Sequence, residues 1–394
     1  MPAAPGRVLL LVPQPFFQWR GSPIRVGFSA LALGQLGYEV DLLVMPFGED
    51  RDIPGVTLHR ARNILGARNL SIGPSLAKAV LDVPLFLKAR ALAGRHPYAV
   101  VHGVEEAGAL APWVARRCGA KVVYEKHSDP GSYKQGRIKS LVMAAYARVE
   151  RYAVAKADAV ICTGPGLAEQ ARAMGPGKPV HHIFDIPSSL AEPSPQASAD
   201  WRRRWTAPGQ DVLALYVGSF AAYQGIDLLF GAIPPACAAT PNLRFVIVGG
   251  TEAEIAERRE ALRARGVEDR VVFAGKIPPD ELPSALAAAD ILLSPRLDGT
   301  NTPLKILDYL KAGRAIAATD RPANRLILNH DNAMLAPPTP EGFGEAVAAL
   351  ARDPTRRDVL AAKGRRIIDE EMNFEEFKRR LGRCYDQILG TATP

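Results

Sequence analysis

Short apolar runs alternate along this chain with longer stretches in which apolar residues recur at helical spacing. This is the pattern of parallel strands covered on both faces by helices. It starts with RVLLLV (7–12), a helical stretch through SALALGQLG (29–37) and VDLLVM (40–45). AVVHG (99–103), KVVYE (121–125), DAVICTG (158–164) and PVHHIF (179–184) continue it. Between Asp185 and Gly209 the segments IPSSLAEPSPQASAD and WRRRWTAPG replace the periodic hydrophobics, and an interdomain linker is predicted over 191–209. The pattern restarts with VLALYVG (212–218), RFVIVGG (244–250), RVVFAG (270–275), DILLSP (290–295), RAIAATD (314–320) and AMLAPP (333–338). Two doubly wound, Rossmann-like α/β domains are therefore predicted, over 1–190 and 210–372. In NFEEFKRRLGRCYDQIL, residues Phe374, Phe377, Leu381, Tyr385 and Ile388 share one helical face. Residues 373–394 are predicted to form a helix crossing the domain junction, followed by a tail.

The length of 394 residues suits two domains, and the 47% apolar and 23% charged composition is that of a folded chain rather than a disordered one. Cys118, Cys162, Cys237 and Cys384 show no zinc or redox spacing and read as buried thiols in a reducing cytoplasm. His181 and His182 adjoin, which fits a strand edge better than a metal site. The first apolar run has six residues before Pro13, too short for a signal-peptide core or a bilayer span. A cytoplasmic protein is expected. A net charge of +8 favours anionic partners: phosphates, anionic lipid or nucleic acid. Nucleic acid has no supporting motif. Residues 74–96 and 134–158 read as helices that are apolar on one side and basic on the other, suited either to peripheral contact with anionic membrane at its inner face or to an ordinary core-facing role.

The most informative stretch is DGTNTPLKILDYLKAGRAIAATD, 298–320, running from a strand end through a small polar loop into a helix and another strand. Gly299, Thr300, Asn301 and Thr302 keep the loop narrow, and Pro303 suits the first helical position. The free N–H groups of the helix start can then meet an anion, with Lys305 adding charge. Asp308 has no capping role and is expected to face solvent or to be hydrogen-bonded, which a ribose diol would satisfy. Read without a ligand, the same segment is a well-capped helix with a surface aspartate. In RGSPIRV (20–26), Gly21 and Ser22 let the chain pass close to a diphosphate, and Arg20 and Arg25 supply charge or are solvated loop arginines.

LKILDYLKAGRAIAATD resembles the signature of retaining GT-B glycosyltransferases of family 4, and GTNTP resembles a recurrent variant of it. LYVGSFAAYQGIDLLF (215–230), LRFVIVGG (243–250), VVFAGKIPPDELPSALAAADILLSP (271–295) and RGSPIRV stand in the family's order, so the resemblance spans nearly the whole chain. It implies two facing Rossmann-like domains. It also implies transfer of a sugar, with retention, from a UDP- or GDP-linked donor to a glycan or lipid-linked acceptor, in cell-envelope or polysaccharide synthesis.

Carried over residue by residue, Asp308 holds the ribose, and the loop from Thr300 through Leu304 approaches the donor sugar and diphosphate. Gly275, Lys276 and Ile277 cradle the base. Gly218 belongs to the turn after the second domain's first strand. His127, in VVYEKHSDPGSY, resembles the cleft histidine that touches the transferring sugar and is grouped with Lys305 as catalytic. His102, Glu105 and Glu106 line the acceptor side, although a carboxylate pair opening a helix also serves as a dipole partner.

The pattern departs from the family at three places. Ser219 and Gln224 stand where many members carry an arginine and a lysine against the leaving diphosphate, and Thr300 stands where many carry a glutamate. Arg20, Arg25, Arg296 and Lys305 are the candidate replacements for the lost charge. No cofactor is implied beyond the nucleotide sugar as co-substrate, and no D-x-D motif is placed to hold a metal. A nicotinamide oxidoreductase requires G-x-G-x-x-G, which CTGPGLAEQ (162–170) lacks. A sugar-nucleotide epimerase and a binding protein without turnover share the architecture and stay open.

Overall fold

The computed structural model describes residues 6–66, 76–129, 137–206, 211–299 and 303–391. The apolar runs of the first half form strands β1 (Arg7–Val12), β2 (Glu39–Val44), β3 (Val56–Arg60), β4 (Tyr98–Val104), β5 (Lys121–Lys126), β6 (Ala159–Cys162) and β7 (Val180–His182). They pair in parallel in the order β3-β2-β1-β4-β5-β6-β7. Helices α1 (Gly21–Gln35), α2 (Leu76–Ala93), α3 (Ala107–Ala115), α4 (Arg137–Lys156) and α5 (Pro165–Met174) connect them. Leu9, Leu10 and Leu11 are fully buried, because helices cover both faces of the sheet and successive side chains point to opposite faces.

The second half contains α6 (Pro195–Trp205), β8 (Val212–Val217), α7 (Ile226–Ala239), β9 (Leu243–Val248), α8 (Glu252–Arg263), β10 (Val271–Gly275), α9 (Leu282–Ala287), β11 (Ile291–Ser294), α10 (Leu304–Lys311), β12 (Ala315–Thr319), α11 (Pro322–Arg325), β13 (Met334–Ala336), α12 (Pro340–Arg352) and α13 (Pro354–Glu370). Its sheet is parallel in the order β10-β9-β8-β11-β12-β13, with Tyr216, Phe245 and Phe343 among the fully buried core residues. In each sheet the strand order reverses beside the first strand, between β1 and β4 and between β8 and β11. Ligands of such sheets bind outside the carboxyl ends at these reversals.

The chain divides into two compact units, Met1–Asp185 with Phe374–Pro394, and Ile186–Asn373. The final helix, α14 (Phe374–Leu389), returns to the first unit and packs on α1, with Phe377, Leu381 and Tyr385 buried.

Three sequence expectations change. The predicted linker 191–209 carries α6, whose Ser194 cap accepts from Ala197 N–H and is followed by Pro195 at the first helical position. The Pro and Ser that suggested a linker are helix-start chemistry. Arg202 then ties α6 to Asp290 and to the Ala288 carbonyl, and the division between units falls at Asp185. Strand β3 had no apolar run to announce it, being a partly exposed edge strand of sequence VTLHR. Pro303 is the cap of α10 rather than its first residue.

Candidate functional site

In the second unit, the loop after β8, the loop after β11 and the start of α10 converge at the strand-order reversal. Gly218 ends β8 so closely against its neighbours that a Cβ there would lie 2.8 Å from Tyr216 Oη and 3.5 Å from Lys305 Nζ. Only glycine fits. The Tyr216 hydroxyl donates to the Ser219 carbonyl at 2.8 Å and shapes the turn. Tyr309, from α10, accepts from Val217 N–H at 3.1 Å and donates to the Leu293 carbonyl at 3.3 Å, tying the ends of β8 and β11 together.

Lys305 Nζ stands 4.6 Å above the Tyr216 ring. It is sealed from solvent and has no hydrogen-bond partner among the described residues. Burial, with Arg296 next to it, lowers its pKa to about 7. Arg296 donates to the Asp298 carbonyl at 2.7 Å and lies over the Tyr223 ring, 5.5 Å from its centroid. Neither cation pairs with a carboxylate among the described residues. Gln224 contributes a second buried atom without a hydrogen-bond partner among the described residues, Oε1. An unpaired buried ammonium is costly, and the pair has the charge that would suit an anion.

Asp308 is hydrogen-bonded, as one of the two sequence readings had it. The partner is Ser188, whose main-chain N–H donates to Oδ1 at 2.6 Å and whose hydroxyl donates to Oδ2 at 2.9 Å. Burial pushes its carboxyl up to about 6, against the lowering effect of those bonds. Lys311, one turn on, donates to the carbonyls of Ser189 and Ala191. The acidic end of the motif thus fastens the chain segment that opens this unit, and any ribose contact shares the carboxylate with Ser188. Gly275 closes β10 beside Gly249, with Lys276 exposed and Ile277 half-buried after it. Thr300, Asn301 and Thr302 lie outside the described residues.

In the first unit, the segments after β1, β4 and β5 meet. Gly21 and Ser22 open α1, and Ser22 Oγ lies 2.5 Å from His127 Nδ1. On its other side His127 Nε2 lies 3.1 Å from Glu125 Oε1, at ion-pair distance though off the hydrogen-bond direction. Glu125 also receives Arg25 Nε at 2.5 Å and has His102 Nε2 3.0 Å from its second oxygen. Arg25 goes on to Asp185 at 2.9 Å and to the Phe184 carbonyl. These neighbours hold Glu125 well below the usual carboxylate range against the opposing effect of burial.

Two expectations are corrected here. Arg25, expected to offer charge to a diphosphate, is buried and has that charge met by Glu125 and Asp185. A guanidinium taken out of water needs such partners. His102, expected on the acceptor side, is completely enclosed, with Nδ1 against the Tyr385 hydroxyl at 2.8 Å. Glu105 is buried and receives the Ser128 hydroxyl at 3.0 Å, and burial raises its carboxyl. Glu106 pairs with Lys78 and accepts from Tyr146. Arg20, just ahead of α1, pairs with no carboxylate among the described residues, and burial lowers its pKa.

Glu125 was not singled out in the sequence, and Tyr385 was placed only on the apolar face of the last helix. Glu125 had a usable signal: it lies near the carboxyl end of β5, two residues before His127. The contact of Tyr385 with His102 had no signal, since a helix from the far end of the chain brings Tyr385 in.

Comparison with known proteins accounts for both units. Residues 21–184 match the family described as "Glycosyl transferase 4-like domain" and residues 211–353 the family described as "Glycosyl transferases group 1". A phosphatidylinositol N-acetylglucosaminyltransferase subunit of Arabidopsis thaliana is 24% identical over 98% of this chain and 83% of its own length. Among solved structures, sucrose-phosphate synthase of Thermosynechococcus elongatus superposes with a TM-score of 0.75 at 21% identity, covering 98% of this chain and 99% of its own. HepE of Anabaena, in complex with UDP, superposes with a TM-score of 0.74 at 14% identity, covering 97% of this chain and 100% of its own. The fold is GT-B, and the chain belongs to the glycosyltransferases, with a first unit of the 4-like type and a second unit of the group 1 type.

Proposed function

We propose that the protein transfers a sugar, with retention of configuration, from a UDP- or GDP-linked donor to a glycan or lipid-linked acceptor in cell-envelope or polysaccharide synthesis. The observation that carries this reading is the sealed ammonium of Lys305, beside Arg296 and against the Gly218 turn, with no hydrogen-bond partner among the described residues. Its missing partner has the chemistry of a diphosphate. The anion gains two charge-assisted contacts and the N–H groups of the α10 start.

On this reading the donor diphosphate docks on the second unit. Lys305 and Arg296 take over the neutralising work for which Ser219 and Gln224 carry no charge. As the bond from anomeric carbon to phosphate oxygen breaks, these fixed cations stabilise the negative charge that builds on the leaving diphosphate. No divalent ion is required for that step. The UDP bound to the Anabaena neighbour and the phosphatidylinositol acceptor in the Arabidopsis relative's name support the donor and acceptor classes.

The test is UDP and GDP binding by calorimetry in wild type and Lys305→Ala. A lost charged contact of this kind weakens binding by about 10- to 100-fold. Equal affinity in the variant for the nucleotide that wild type binds would refute the assignment.

Lipid acceptors also call for access to a membrane surface. No helix among the described residues is long and apolar enough to cross one. Contact is proposed instead through α2, where Val83 and Leu87, four residues apart on one helical face, are 55% and 61% exposed.

A further inference from the structure

Away from the strand-order reversal, the first unit gathers positive charge at one edge of its sheet. Strand β7 is the last strand on that side, two beyond β5, and α14 passes beside it, with Arg380 Nη1 3.5 Å from the His182 carbonyl. Strand and helix enclose a cavity of about 330 Å³. His181, His182 and Ile183 line it from the strand side, and Arg380, Arg383 and Gln387 from the helix. The three helix residues are three and four positions apart, so they share one face of α14. No carboxylate among the described residues lines the cavity.

The lining is held in place by its neighbours. Arg380 donates from Nε to Glu376 at 2.6 Å, and its guanidinium lies 5.2 Å from the centroid of the Phe184 ring. Phe184 in turn packs edge-on against the His182 ring, with centroids 4.0 Å apart. Glu376 is shared with Arg379, so one carboxylate serves two guanidinium groups. Arg383 is exposed and pairs with no carboxylate among the described residues. Both imidazoles sense the surplus of cations. Burial lowers the pKa of His181 against its hydrogen bond with Gln387, and Arg383 adds to the lowering. Burial also lowers that of His182, with Arg380, Arg25 and Arg172 acting in the same direction. Walls fixed in this way lose little side-chain freedom when a ligand enters.

We propose that this cavity binds a phosphate monoester carried on a sugar-sized body. Arg380 and Arg383 stand on adjacent turns, and each guanidinium presents parallel N–H groups that match phosphate oxygens. A dianion meets both charges at once. A metal cation would be repelled by the same groups, and an apolar ligand would strip them of water with no partner in return. The volume is at the lower end for small-molecule pockets, which admits a phosphorylated sugar or a lipid headgroup and leaves no room for a folded partner. The Gln387 amide offers a polar contact for a ring hydroxyl. All the lining residues belong to the first unit, so the site is independent of the donor reading at Lys305.

The experiment is calorimetric titration of the full chain with glucose 6-phosphate, with glucose as the control lacking phosphate, for wild type, Arg383→Gln, Arg380→Gln and Lys305→Ala. A second arm measures binding to phosphatidylcholine vesicles that carry either phosphatidic acid, a phosphate monoester, or the same fraction of phosphatidylglycerol, a diester. Wild type should bind glucose 6-phosphate and not glucose. Each arginine variant should weaken that binding by about 10-fold or more, while Lys305→Ala leaves it unchanged. Arg383 is exposed and holds no other side chain, so its variant carries the test if Arg380→Gln, which also frees Glu376, does not fold. A preference for phosphatidic acid vesicles that Arg383→Gln abolishes supports the same site with lipid as the source of the phosphate. Failure of wild type to bind glucose 6-phosphate and to prefer phosphatidic acid overturns the proposal. So does binding that Arg383→Gln leaves intact, or that Lys305→Ala alone removes.

Discussion

Lys305 and Asp308 sit three residues apart on α10, and both are drawn away from water with opposite consequences. Lys305 Nζ has no hydrogen-bond partner among the described residues, so its burial carries an uncompensated cost. Asp308 has its demand met by Ser188, a residue 120 positions earlier. The sequence placed both side chains on the helix and allowed Asp308 to be hydrogen-bonded. It could not name Ser188, because nothing local connects positions so far apart.

The Asp308 environment also sets a pH signature. Its carboxyl is raised from 3.8 to about 6 by burial, so between those values the unfolded chain releases a proton that the folded chain retains. Rising pH therefore costs this group's share of stability across that window, and above it the cost is constant. Asp308→Asn removes the cost and keeps an acceptor for Ser188 N–H. The stability of the variant relative to wild type, from urea unfolding of the second unit, should rise from about pH 4 to about pH 6 and then level. A relative stability that falls over that window would contradict the burial of this carboxylate.

Among the elements, the buried strands were legible because a strand covered on both faces must be apolar along its whole length. β3 was not, since an edge strand escapes that requirement, and α6 was misread because Pro and Ser begin helices as well as linkers. The helical character of α2 and α4 was legible, but the side turned to solvent was not.

The structure leaves Val83 and Leu87 of α2 exposed. The basic groups nearby are engaged: Lys88 donates to the Arg60 carbonyl and Arg90 to that of Trp113. Contact with a bilayer through α2 should accordingly depend on these apolar side chains more than on lysine charge. In flotation with vesicles containing anionic lipid, wild type should rise with the vesicles and the Val83→Asp, Leu87→Asp double variant should stay behind. Equal flotation of the two proteins would remove α2 from the membrane-contact reading.

At the scale of the whole molecule, one plan is used twice. Each unit is a parallel sheet whose strand order reverses beside its first strand, and each gathers its unusual side chains outside that reversal. The second unit gathers Lys305 and Arg296, neither paired with a carboxylate among the described residues, and the first gathers Ser22, His127 and Glu125. Hydrophobic period alone indicated the two sheets. The division of chemistry between them depended on pairings such as Arg25 with Glu125 and on the return of α14 to the first unit, which no local pattern records.

The central claim, sugar transfer from a nucleotide diphosphate donor without a metal, is tested most directly by incubating the purified protein with radiolabelled UDP- and GDP-sugars, lipid extract and EDTA. The account predicts that label from at least one donor moves into the lipid or glycan fraction. Folded protein that binds a nucleotide yet neither transfers nor hydrolyses any donor in the panel would contradict it.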